Sequence, residues 1–89
     1  MNGMSPRFQV GDRVKIRRSW SELDGAVGTV DVPPQNTPHH ADFGCAHFRQ
    51  ETTLTGGQTF LYWVRLDVHG GTTDVPEGDE FNETELEKL

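Results

Sequence analysis

From Phe8 to Ile16 the even positions are Phe8, Val10, Asp12, Val14 and Ile16, while Arg13, Lys15 and Arg17 occupy the odd ones. A period of two is that of a half-buried strand, so the pattern predicts one inward face and one cationic face. Gly11-Asp12 breaks the inward row and reads as a turn or bulge leading into the strand. Arg18 to Gly25 is a polar connection closed by Asp24-Gly25, a dipeptide that tolerates positive φ cheaply. Val27 to Val32 is rich in β-branched residues and predicts a second strand, which Pro33-Pro34 stops.

Residues 33–58 contain three prolines and four glycine or asparagine residues, with no sustained periodicity. At 26 residues this segment exceeds the usual loop of a compact domain. It predicts a long middle loop, within which 46–54 is a candidate strand extending the hairpin of the second strand, ended by Gly56-Gly57. The clearest alternation is that of 60–68. Phe60, Tyr62, Val64, Leu66 and Val68 form one row and Leu61, Trp63, Arg65 and Asp67 the other. The first row is assigned to the core. His69 to Thr72 reads as a turn and Thr73 to Val75 as the start of a further strand. Asn82 with Glu85 three positions later has the form of a capping box, predicting one helical or 3₁₀ turn before a last strand over 86–89.

Short strands, tight turns and no long helical pattern predict one all-β domain: a small, partly open antiparallel barrel of about five strands. Curling buries one face and pairs the edges. At 89 residues the chain has room for one modest core. A single cysteine, Cys45, excludes an intrachain disulfide and favours a reducing, cytoplasmic setting. No stretch approaches the ~20 apolar residues of a membrane span, and MNGMSPRFQV lacks the apolar run of a secretory leader.

The net charge of −6 is unevenly spread: +1 over residues 1–32, 0 over 33–66 and −7 over 67–89. Nucleic-acid binders usually carry an excess of Lys and Arg over a whole face. Here that excess is confined to Arg13, Lys15, Arg17 and Arg18, with Trp20 beside them, a set able to hold a phosphate backbone and stack a base. The alternative is that Glu85 and Glu87 of the last strand pair with these cations.

The run Val10-Gly-Asp-Arg-Val-Lys-Ile16 followed by Leu23-Asp-Gly-Ala-Val-Gly-Thr-Val30 resembles the opening hairpin of KOW-type and other SH3-like barrels, with Gly25 and Gly28 at the expected glycines. Tyr62 to Asp67 and Phe81 to Leu89 are similar to the third and last strands of the small stromal subunit of photosystem I. The layout also resembles the barrel of nitrile hydratase β subunits. These short motifs cover roughly half the chain and imply an SH3-like fold with an open choice of function. Ser19-Trp20 replaces a glycine usual in KOW motifs. The Val-Gln-Ile-Tyr strand of type II dihydrofolate reductases, which share the barrel, has no counterpart, so that activity is not carried over.

Three groups of residues are candidate functional sites. Leu61, Trp63 and Arg65 lie on the outward row of the 60–68 strand and, with Trp20, offer apolar anchors for a protein partner or larger complex; the competing reading has the middle loop fold over them as a second small core. The basic set serves the nucleic-acid alternative. His39, His40, Cys45 and His47 have the donor types of a zinc site, without the spacing of a known zinc motif. Asp74, Glu77, Asp79 and Glu80 read as a solvated acidic loop. With no phosphate-binding glycine loop and no nucleophile motif, the sequence predicts a binding module needing no cofactor rather than an enzyme.

Overall fold

A computed structural model describes residues 6–37, 39–67 and 77–89. Six strands form one antiparallel sheet that does not close. They are β1 (Arg13–Ile16), β2 (Val27–Val30), β3 (Phe48–Thr52), β4 (Gln58–Leu66), β5 (Gly78–Asn82) and β6 (Leu86–Lys88). A short helix, α1 (His39–Phe43), precedes β3, and a 3₁₀ turn (Glu83–Glu85) separates β5 from β6. The result is the small, partly open all-β barrel that the alternation predicts. No helix among the described residues is long and apolar enough to cross a membrane.

The long strand β4 organises the sheet. Its register places Val30 opposite Val64, Phe48 opposite Tyr62 and Phe81 opposite Tyr62. β2 and β3 share one edge of β4, and β5 takes the other. The change of neighbour on the shared edge falls at Trp63, whose N–H donates to the His47 carbonyl (3.2 Å) and whose carbonyl accepts from the Asp31 N–H (3.0 Å). The candidate strand at 46–54 therefore exists as β3 but is paired with β4, not added to the hairpin of β2. Gly28 lets β2 lie this close, because a Cβ there would stand 2.6 Å from the Arg65 carbonyl oxygen and 2.6 Å from Val64 Cγ1.

Phe8, Val14, Ile16, Val30, Phe60, Tyr62, Val64, Leu66, Phe81 and Leu86 form the core, with Leu23, Ala26 and Phe48 packed at its margin. Each large apolar side chain so buried contributes about 1.5–3 kcal/mol. Val10 is the exception to the predicted inward row. It sits in the turn over 9–12, where the Asp12 N–H donates to the Gln9 carbonyl (3.0 Å) and Gly11 has φ +94°, and its side chain is exposed. The segment before that turn is fastened from inside: the Arg7 and Phe8 N–H groups donate to the Tyr62 hydroxyl (2.8 and 3.4 Å), which donates to Glu83 (3.2 Å).

At the other end the predicted capping box is present. Asn82 Oδ1 accepts from the Thr84 N–H (3.0 Å), and Glu85 returns to accept from the Asn82 N–H (2.9 Å). The turn delivers Leu86 to the core and lays β6 against β1, Lys15 opposite Glu87. The acids Asp79 and Glu80 belong to β5 rather than to a solvated loop. Val68, the turn at 69–72, the strand start at 73–75 and Asp74 lie outside the described residues.

Candidate functional site

The outward row of β4 is not an open contact surface. Trp63 is 1% exposed and Leu61 9%, which corrects the expectation that both present themselves to a partner. Alternation fixes the side of the strand a residue takes; it does not fix what lies over that side. Asp31 and His47, the residues on either side of the segment 32–46, hydrogen-bond to the backbone of Trp63, so that segment leaves and returns at the same point. It carries the buried residues Pro33 and Phe43.

On the flanking strands, Arg49 stands opposite Leu61 and Glu80 opposite Trp63, and Arg49 pairs with Glu80, so an ion pair straps the row diagonally. Gly78 completes the enclosure: a Cβ on it would fall 2.3 Å from Trp63 Cζ2. The indole Nε1 of Trp63 and Nε of Arg49 are buried and find no hydrogen-bond partner among the described residues. Arg65, at the end of the row, is exposed as expected and pairs with Asp31 (3.0 Å).

The basic set is divided among carboxylates. Arg13 makes a forked pair with Asp67 (2.9 and 2.6 Å). Arg17 meets Glu87 at 3.8 Å. Arg18, with a side chain only 12% exposed, forks onto Glu85 (2.8 and 2.9 Å) and reaches the Glu80 carbonyl (3.2 Å). Its hydrogen bonds to Arg18 hold the Glu85 carboxyl below its ordinary value near 4.5, against the upward push of burial. Arg18 is thus a clamp between β5, the 3₁₀ turn and the first connection, and Arg13 is tied to the end of β4. Lys15 makes no ion pair among the described residues.

Trp20 is the aromatic that does face solvent, at 78% exposure. The loop that carries it is fixed at several points. The Arg18 N–H donates to Asp24 Oδ1 (2.8 Å), the Ser21 N–H to the Arg18 carbonyl (2.9 Å) and the Gly25 N–H to the Ile16 carbonyl (2.8 Å). The Arg18 guanidinium lies 4.9 Å from the Trp20 ring and 4.3 Å from that of Phe81, so one cation connects the exposed indole to the core. Next to this loop Lys15, Arg17, Ser19, Asp24 and Gly25 line an open groove of about 390 Å³. An indole held on a fixed loop beside a groove with two cations can grip an apolar side chain and a neighbouring acid together.

Among the described residues, the candidate metal ligands His40, Cys45 and His47 do not come together. His40 Nδ1 lies 3.0 Å from the Pro33 carbonyl, His47 Nε2 lies 2.9 Å from the Phe8 carbonyl, and Cys45 is exposed. The side chain of His39 lies outside the described residues. Among those described, no three metal-ligand side chains come together. His47 instead packs edge-on to Phe48 (4.9 Å) and ties the middle segment to the start of the barrel.

Sequence reasoning missed Arg49, Glu80 and Gly78 as the enclosure of Trp63. The signal was a glycine followed by two acids, which as plain composition reads as a solvated loop. Compared with protein-family models, with curated proteins and with solved structures, the chain matches none.

Proposed function

We propose that this chain is a non-catalytic protein-interaction or accessory module of the SH3-like type, which grips its partner with Trp20 and the adjoining groove of Lys15, Arg17 and Ser19. The carrying observation is the contrast between the two tryptophans. Trp63 is enclosed, whereas Trp20 stands in solvent on a loop that its own hydrogen bonds hold still. Little conformational freedom remains to be lost when such an indole is covered, which is what makes tryptophan an effective anchor.

A second reading, KOW-like binding of single-stranded nucleic acid, draws on the same aromatic beside Lys15 and Arg17. It is weakened by the commitment of Arg13 to Asp67 and of Arg18 to Glu85. One experiment separates the two. Peptides selected from a random display library against the folded protein, and an oligothymidylate, are each titrated while tryptophan emission is followed at two salt concentrations. Peptide binding that is lost in Trp20→Ala and largely retained in salt supports the module. Selected peptides indifferent to Trp20→Ala, or oligothymidylate binding that falls steeply with salt, overturn it.

A further inference from the structure

Resting on the contact surface of Trp20, we infer that the groove beside it takes one carboxylate of the partner, an Asp or Glu neighbouring the apolar residue that covers the indole, and that Glu87 of this chain competes for the same two cations. Of the basic set, Arg13 and Arg18 are committed to short forked pairs with Asp67 and Glu85. Lys15 and Arg17, which line the groove, are not. Lys15 makes no ion pair among the described residues. Arg17 meets Glu87 at 3.8 Å, with both side chains more than half exposed. Alternation along β1 places Lys15 and Arg17 on one face, and pairing with β6 sets Glu87 opposite Lys15 on that same face.

The charges about the groove favour a single acid over a chain of phosphates. Asp24 also lines it, with Oδ1 accepting from the Arg18 N–H (2.8 Å). With Glu87 turned aside, two cations face one acid, and a single incoming carboxylate restores the balance. The exchange gives up only the exposed 3.8 Å contact of Arg17 with Glu87, and contacts of that kind are worth little. Each further phosphate of a nucleic-acid strand would instead stand beside Asp24 and Glu87, on a chain of net charge −6. The groove, about 390 Å³, is at the small end of the range that encloses a ligand and suits one or two side chains. The indole then supplies most of the affinity, and the cations select the residue next to the one it grips.

Peptides selected from a random display library against the full chain are the probe. Those that bind wild type through Trp20 should be enriched in Asp and Glu, and those selected against the double variant Lys15→Gln, Arg17→Gln should not. For an acidic peptide so selected, changing its acid to the amide should weaken binding to wild type about threefold, the worth of an exposed ion pair. Glu87→Gln should tighten the acidic peptide about twofold and leave the amide form unchanged, a difference that a merely structural role of residue 87 would not produce. The two peptides are compared on wild type, so that arm decides even where a variant folds poorly. Peptides that need Trp20 but show no enrichment in acids, equal affinity of the acid and amide forms, or a Glu87→Gln effect that is absent or the same on both forms overturn this inference and leave the Trp20 surface standing. Peptides indifferent to Trp20→Ala, or a preference for an oligothymidylate, overturn both.

Discussion

Arg18 and Glu85 form a forked ion pair, at 2.8 and 2.9 Å, that joins the loop after β1 to the 3₁₀ turn before β6. Glu85 also caps that turn by accepting from the Asn82 N–H, so one carboxylate fixes both the entry to the last strand and the cation beneath Trp20. Glu85→Gln should cost about 1–3 kcal/mol in chemical denaturation, since it leaves a largely buried guanidinium short of its partner. The folded Glu85 titrates below its ordinary value, so its contribution is fully present above about pH 4.5 and is lost as pH falls through the folded value. Wild-type stability should decline through that acid range, and the decline should be shallower in Glu85→Gln.

Trp63→Ala tests the enclosure of the outer row. With the indole buried, truncation should lower stability by about 3–5 kcal/mol. Only a small change in melting temperature would mean that the indole is not enclosed.

Gly78→Ala tests the same enclosure from the opposite side. The added methyl would stand 2.3 Å from Trp63 Cζ2 and 2.7 Å from the Val64 carbonyl oxygen. Overpacking of this kind should cost about 1–3 kcal/mol, whereas Gly57→Ala, with no neighbour nearer than 3.4 Å, should be close to neutral in the same denaturation series.

Tyr62 is the single tyrosine, so ultraviolet absorbance follows its ionisation alone. Burial pushes its hydroxyl up to about 12, from an ordinary value of 10. The titration midpoint should therefore lie near pH 12 in the folded protein and near 10 in denaturant. Because the folded value is raised, this contribution is intact below pH 10 and is lost as pH rises toward 12.

Much of the fold was legible wherever a local rule dictates a local geometry. The alternation of 60–66, the Asp24-Gly25 turn with Gly25 at φ +87° and the Asn82–Glu85 capping box are all present. What escaped are relations between distant segments. Five residues cannot show a helical period, so α1 gave no signal. Phe48 to Thr52 reads as a strand without naming its neighbour, and β4 rather than β2 took it. Of the four proposed contact residues, Trp20 and Arg65 are exposed while Leu61 and Trp63 are not. Around Trp63 a loop leaves and returns, and Gly78 with the Arg49–Glu80 pair closes on it from the flanking strands, relations between distant segments that are invisible in composition.

Which tryptophan is open to solvent decides where a partner can be gripped. Trp20→Phe and Trp63→Phe each leave one indole to report, and acrylamide quenching measures its access to solvent. With Trp63 alone, emission should be blue-shifted and nearly unquenched; with Trp20 alone, red-shifted and readily quenched. Equal quenching of the two, or the reverse order, would contradict both the enclosed outer row and the contact surface built on Trp20.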